Sequence, residues 1–332
     1  MTEDTGSFLE SFIANLRKFE NLERKTLVFP IMKEVREKSF HSNKEYKSMG
    51  EDAAAILFDD ESKNLLLLTT DEITEEFSKK SPWAAGFSSI MVGADDIYAC
   101  GGTPTAASVI ISTKNSEIRK QLLQGVLEAT HRFEIPLVRG HTADKTSNIA
   151  VSATVVGKIR KEYYISAGGA QEGDLIVLIS DFDGRVGETS KYYWNTVTFK
   201  NKNEILMKRA IMLRLAEKKI LTASKDVSNG GIFGTLLLLL QYSKKGALID
   251  LDLIKAPKGI ITPEFPLVDY VKMYLTSAFL VTVAKSNYIT VKKMGENHAL
   301  EVFKIGEIDS SSKFKLKYKN LTREFLDITQ YY

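Results

Sequence analysis

"ASKDVSNGGIFGTL" occupies residues 223–236 and runs directly into "LLLLQYSKKG". A strongly apolar helix is expected to begin here, yet Gly230 and Gly231 stand at its first turn. Glycine inside a helix costs up to about 1 kcal/mol relative to alanine. Two readings explain the pair. In the first, the unpaired amides of a helix N-terminus face an anion, glycine admits a phosphate close to the backbone, and Asp226 holds a metal bridging the phosphates. Ser228 or Asn229 then caps the helix. In the second, the helix is buried, Asp226 lies in a turn, and the glycines allow tight packing against a neighbour. The residues alone leave the two readings about even. A Walker A loop is excluded, because GxxxxGK[ST] is absent.

Three other stretches join an acidic residue to glycine or to a strand end: "MGEDAA" (49–54), "LTTDE" (68–72) and "GADDIYACGG" (93–102). Asp52 precedes one apolar run, "AAAILF", and Asp71 follows another, "LLLLTT"; the two runs predict a strand pair joined by "DDESKN". Asp95 and Asp96 fall on a helix opened by Pro82 and stopped at Gly101–Gly102. Neighbours on a helix point about 100° apart, so only one of the two can face a given site. If several of these carboxylates converge, a hard divalent cation is their natural partner. Mg2+ takes one or two carboxylates together with substrate phosphates. Each aspartate alone is more often a turn or surface residue.

The remaining pattern predicts an amphipathic helix over 7–20 and a mobile or ligand-ordered loop over 33–49. Strands are expected at 105–112, "IPLVRG" and "NIAVSATVVGKI", and helices over 116–133 and 203–220. Further strands are "AQEGDLIVLIS", "ALIDLDL", 278–284 and 301–308. This order favours an α+β fold over a doubly wound parallel sheet. We divide the chain into an N-terminal helix and mobile segment (1–40) and two domains (41–162 and 163–332).

The chain has 332 residues with 45 Lys+Arg, 42 Asp+Glu and a net charge of +3. So small a balance gives no electrostatic case for nucleic acid or an anionic membrane as partner. Cys100 is the only cysteine, which excludes a disulfide framework and a cysteine zinc site within the chain. "MTEDTGSFLESF" lacks the features of a secretory signal, so a cytoplasmic location is expected. His41, His131, His141 and His298 show no paired metal-ligand spacing, and no GxSxG nucleophile elbow occurs.

Two loops after strands carry further polar groups. "LVRGHTADK" (137–145) supplies Arg139, Gly140, His141 and Thr142, and "DFDGRVGET" (181–189) places Arg185 between glycines. Arg139 and Arg185 are candidate substrate contacts, and His141 is the candidate catalytic residue; a satisfied loop histidine and an ordinary glycine turn are the alternatives.

Taken in order, "MGEDAA", "TTDE", "ADDIYACGGTP", "VRGHTAD", "VVGKI", "AQEGDLIVLIS", "KDVSNGGIFGTL" and "KIGEI" resemble the AIR synthase superfamily over about residues 49–308. That group includes formylglycinamidine ribonucleotide synthetase, thiamine-monophosphate kinase, selenophosphate synthetase and a hydrogenase-maturation protein. "SPWAAGF", "DFDGR" and "ASKDVSNGG" are most similar to its uncharacterised methanogenesis-marker-2-like branch. The resemblance implies a two-domain PurM-like α+β fold, with the N-terminal sheet forming an intersubunit β-barrel in a homodimer. It implies ATP and Mg2+ as cofactors and phosphorylation or activation of a small-molecule substrate. Its metal ligands would be Asp52, Asp71, Asp96 and Asp226. Nucleotide contacts would come from Gly50, Asp71, Gly140, Thr142, Ser228, Gly230 and Gly231, with His141 in the same cleft. A non-catalytic nucleotide-binding or assembly subunit, and thiamine-monophosphate kinase itself, are the alternatives. Two departures bear on the choice. The reactive N-terminal Cys or Sec of selenophosphate synthetases is missing, and the kinase's "DVSDGL" is "DVSNGG" here, with Asn229 replacing a carboxylate.

Overall fold

The computed structural model describes residues 5–59 and 61–332. The chain opens with two helices, α1 (Thr5–Arg17) and α2 (Glu20–Lys38). The first domain follows as β1 (Glu45–Lys47), β2 (Ala54–Leu57), β3 (Asn64–Ile73), α3 (Glu75–Lys80), α4 (Pro82–Ala99), β4 (Thr103–Ser112), α5 (Ser116–Phe133), β5 (Leu137–Ala143) and β6 (Ala150–Arg160). Its six strands lie in the order β1-β2-β3-β6-β4-β5, antiparallel except for the β4–β5 pair. Period-two alternation along β3 and β6 gives this sheet two unlike faces. Leu65, Leu67, Val151 and Val155 are buried in the core that α4 and α5 share. Leu66, Leu68 and Val156, at the alternate positions, are only half-buried, and Ile110 on β4 is 48% exposed.

The second domain contains β7 (Leu175–Ser180), β8 (Arg185–Val186), β9 (Tyr193–Asn195), α6 (Lys202–Lys218), β10 (Leu221–Asp226), α7 (Gly231–Ser243), β11 (Gly246–Asp250), α8 (Leu267–Tyr270), β12 (Tyr274–Leu275), β13 (Ala278–Val283), α9 (Tyr288–Asn297), β14 (Glu301–Asp309), β15 (Lys313–Tyr318) and β16 (Leu321–Asp327). Seven strands form one sheet in the order β10-β13-β7-β14-β11-β15-β16, and β12-β9-β8 form a small separate one. The central strands β7 and β13 are buried at every position, as expected of strands covered on both faces. On one face α6 and α9 contribute Ile205, Met212, Leu215 and Val291 to the core of the first domain. On the other, α7 packs with α1 and α2 through Leu9, Phe12, Leu22, Phe29, Phe233 and Leu236.

The fold is α+β with two domains, and it corrects the reading of the N-terminal region. Residues 33–38 complete α2 and residues 45–47 pair with β2, so 33–49 is not one mobile loop. Asp226 is the last residue of strand β10 rather than a turn residue. Among the described residues no helix is long and apolar enough to cross a membrane.

Candidate active site: a buried carboxylate centre

Three elements from distant parts of the sequence end at one point. Asp52 lies just before β2, Asp96 in the last turn of α4, and Asp226 at the end of β10. One carboxylate oxygen from each lies within 4.8 Å of the other two. Asp226 donates its backbone N–H to Asp52 Oδ2 at 3.0 Å, which locks the two domains together at the centre. Thr69 on β3 donates to Asp96 Oδ2 at 2.6 Å and lies 3.3 Å from Asp71 Oδ2, so β3 carries Asp71 to the rim of the same cluster.

The neighbouring Asp95 goes elsewhere, as the 100° rule requires. It forms a two-point ion pair with Arg209 of α6, at 2.6 and 2.9 Å, in the seam between the domains.

Burial and mutual repulsion dominate the electrostatics. Burial pushes the Asp96 carboxyl well above its ordinary pKa, and the charges of Asp71, Asp226 and Asp52 push it further. Asp226 is raised by burial and by Asp52, while Lys225 and Lys25 pull it back. Two lysines supply the local positive charge. Lys225, on β10, is ion-paired with Asp52; burial disfavours its ammonium, but Asp52 holds its pKa above the usual lysine value. Lys25, on α2, donates to Ser228 Oγ at 2.9 Å. Hard oxygen donors and an excess of buried negative charge fit a divalent cation such as Mg2+.

Two cavities flank the cluster. The larger, about 720 Å3, is lined by Asp71, Asp96, Asp226, Ser228, Asn229 and Lys25, with an aromatic wall of Phe77, Tyr193 and Tyr274. The smaller, about 350 Å3, is lined by Asp52, Lys225, Gly50, Thr70, Phe29 and Met32.

The two glycines of "SNGG" have packing reasons here. Gly231 has φ +65°, and a Cβ on it would lie 2.2 Å from the carbonyl oxygen of Val271. A Cβ on Gly230 would meet the Lys25 stem, with Cγ at 3.1 Å and Cε at 3.2 Å. Gly230 is the N-cap of α7, and no side chain caps the helix, so neither Ser228 nor Asn229 takes that role. The Ile232 amide donates to Val271 O and the Gly231 amide to Ser228 O, which leaves fewer first-turn amides facing the cavity.

The structure therefore brings together Asp52, Asp71, Asp96, Asp226 and Ser228, with Gly50 on the smaller cavity. Arg139, Gly140, His141 and Thr142 lie instead on the exposed edge strand β5 and line neither cavity. Arg185 on β8 stacks its guanidinium 4.8 Å from the Phe199 ring centre and is also outside both, although Thr189–Tyr193 just beyond it line the larger. Sequence reasoning missed Thr69, Lys225 and Lys25. The first two lie inside quoted motifs and could have been read as partners of the adjacent aspartates. Lys25 carries no such signal.

Residues 50–159 match the family described as AIR synthase related protein, N-terminal domain, and residues 171–319 match its C-terminal domain. An uncharacterised protein of Synechocystis sp. is 32% identical over 282 residues, spanning 85% of this chain and 84% of that one. Among solved structures, T. maritima PurL complexed with ATP superposes with a TM-score of 0.71 at 14% identity, covering 86% of this chain and 47% of that chain. This chain thus spans about half the length of that PurL. AaThiL complexed with AMPPCP and TMP gives a TM-score of 0.63 at 19% identity, covering 90% of this chain and 96% of that chain. At these identities the two structures show a shared fold.

Proposed function

Because the chain belongs to the AIR synthase related protein family, we propose that it is an ATP- and Mg2+-dependent enzyme that phosphorylates or activates a small molecule. One observation carries the reading: Asp52, Asp96 and Asp226, drawn from both domains, meet beside a polar cavity of about 720 Å3. Phosphoryl transfer needs mainly positioning and charge neutralisation, and a carboxylate cluster beside a roomy cavity suits that chemistry. The ATP complex of T. maritima PurL and the AMPPCP complex of AaThiL lend the fold's precedent.

Asp52, Asp96 and Asp226 would hold Mg2+, with Asp71 at the rim. When bound, the ion would neutralise phosphate charge and screen these carboxylates from one another. Thr69 orients Asp96 by its 2.6 Å hydrogen bond, and Lys225 fixes Asp52. Ser228 and Asn229 line the cavity at the start of α7. Thiamine monophosphate is the first acceptor to test, because of the AaThiL fold match. Asn229, where the kinase motif has aspartate, is the reason to test others.

We further propose a homodimer joined through the uncovered face of the first sheet, where Leu66, Leu68, Val156 and Ile110 are incompletely buried. Arg139 and His141, which share the face of Ile110, would then act from the dimer face, with Gly140 and Thr142 on the opposite side of β5. Light scattering that finds a monomer at micromolar concentration would refute this arrangement.

Calorimetric titration of the protein with ATP in the presence of Mg2+ tests the nucleotide reading, and ADP release across candidate acceptors separates turnover from binding alone. No heat at millimolar ATP would refute both the enzyme and the nucleotide-binding subunit.

A further inference from the structure

The larger cavity has four basic residues in its wall: Arg24, Lys25, Lys80 and Lys191. Three are committed to carboxylates. Arg24 pairs with Glu20 at 2.5 Å, Lys80 with Glu76 at 2.7 Å, and Lys191 with Asp269 at 3.5 Å. Of these four, Lys25 alone has no carboxylate within 4.0 Å among the described residues. Its ammonium has three donors, and the hydroxyl of Ser228 receives one of them.

That placement is built into the fold. The Lys25 stem crosses the start of α7 at Gly230 and Gly234, where Cβ atoms would approach it to 3.1 and 3.5 Å. Its ammonium is thereby carried in beside Asp226, Asp52 and Asp96. Burial lowers its pKa; the Asp226 charge opposes that shift, and Lys225 reinforces it. A lysine kept merely to balance these aspartates would be expected to touch one, as Lys225 touches Asp52. Lys25 stands off from them, its remaining donors available to a ligand richer in oxygen than the protein supplies.

We propose that Lys25 is a binding residue for the terminal phosphate of the nucleotide, supplied by helix α2 from outside both matched family domains. The inference rests on the nucleotide reading above and adds the group that reads the phosphate end. Lysine acts on phosphate as a compact point charge, so a ligand carrying one more terminal phosphate should depend on it more.

The experiment compares wild-type protein with Lys25→Met and Lys25→Arg by calorimetric titration with ATP and with ADP at fixed Mg2+. Methionine keeps an unbranched stem over Gly230, and melting temperatures of the three proteins check that the fold is intact. Lys25→Met should lose about 10- to 100-fold in ATP affinity, with a smaller loss for ADP, and Lys25→Arg should fall between. Equal ATP affinity in Lys25→Met and wild type would overturn the assignment while leaving the nucleotide reading standing. So would an unchanged ATP affinity with tighter binding of Mg2+ alone, which would make Lys25 a stand-in for the ion. Wild-type protein that gives no heat with ATP would overturn the nucleotide reading and this inference together.

Discussion

The seam between the domains and the carboxylate centre both bury aspartates, a few ångströms of helix apart, and treat them oppositely. At the seam Asp95 meets the fully buried Arg209, which also donates to Ser277 Oγ and lies over the Phe133 ring. Close by, the fully buried Asp181 receives Lys200 at 2.6 Å and Lys208 at 3.0 Å. Burial raises the pKa of Asp95, and Arg209 works against the rise. At Asp96 burial is instead compounded by Asp71, Asp226 and Asp52. Charge at the seam has partners in place and serves cohesion; charge at the centre has fewer of them, in keeping with the metal role proposed above.

Breaking the balanced side should cost most. Arg209→Ala leaves Asp95 buried and unpaired, and a loss of about 3–5 kcal/mol in unfolding free energy is expected by denaturant titration. A loss under about 1 kcal/mol would make the seam pair incidental. The unbalanced side should respond with the opposite sign: Asp226→Asn removes repulsive buried charge and should stabilise the metal-free protein by about 1–3 kcal/mol. The same variant should lose the gain in melting temperature that Mg2+ gives to wild type. If Asp226→Asn destabilises as Arg209→Ala does, the two regions do not differ as described.

The pH response sharpens the contrast. Asp96 and Asp226 have folded pKa values above their unfolded ones, so the native state binds more protons. Stability then falls as pH rises through the raised values and is greatest below the ordinary carboxylate range as far as these two groups are concerned. Without metal, melting temperature should drop as pH increases from mildly acidic to neutral, and Mg2+ should reverse the drop. A metal-free melting temperature that climbs over that interval would contradict the assignment. The smallest stability effect belongs to the rim: Asp71→Asn should leave unfolding free energy within about 0.5 kcal/mol while weakening Mg2+-dependent ATP binding. Unchanged binding would remove Asp71 from the site.

Local sequence marked the aspartates as junction residues, with Asp52 before an apolar run, Asp71 near the end of one and Asp96 on a helix started by Pro82, but it was the family resemblance that implied them as one set. The divergence of Asp95 and Asp96 follows from helix geometry alone. Helix α2 was not legible. Pro30 sits inside it, removing a backbone donor, and its apolar residues point two ways, with Phe29 and Met32 buried but Leu27 and Ile31 62% and 58% exposed. No single stripe announces such a helix. Lys25 was hidden for a further reason: its partner Ser228 lies 203 residues away, a proximity only the folded chain creates. Of the two readings of the glycines in "SNGG", tight packing against a neighbour describes their surroundings, since the Val271 backbone closes on Gly231 and the Lys25 stem on Gly230.

Helix α2 ends before residue 50, where the matched family domains begin. If Lys25 holds the terminal phosphate as proposed, ligand preference would depend on a helix that belongs to neither matched domain and packs over the start of α7.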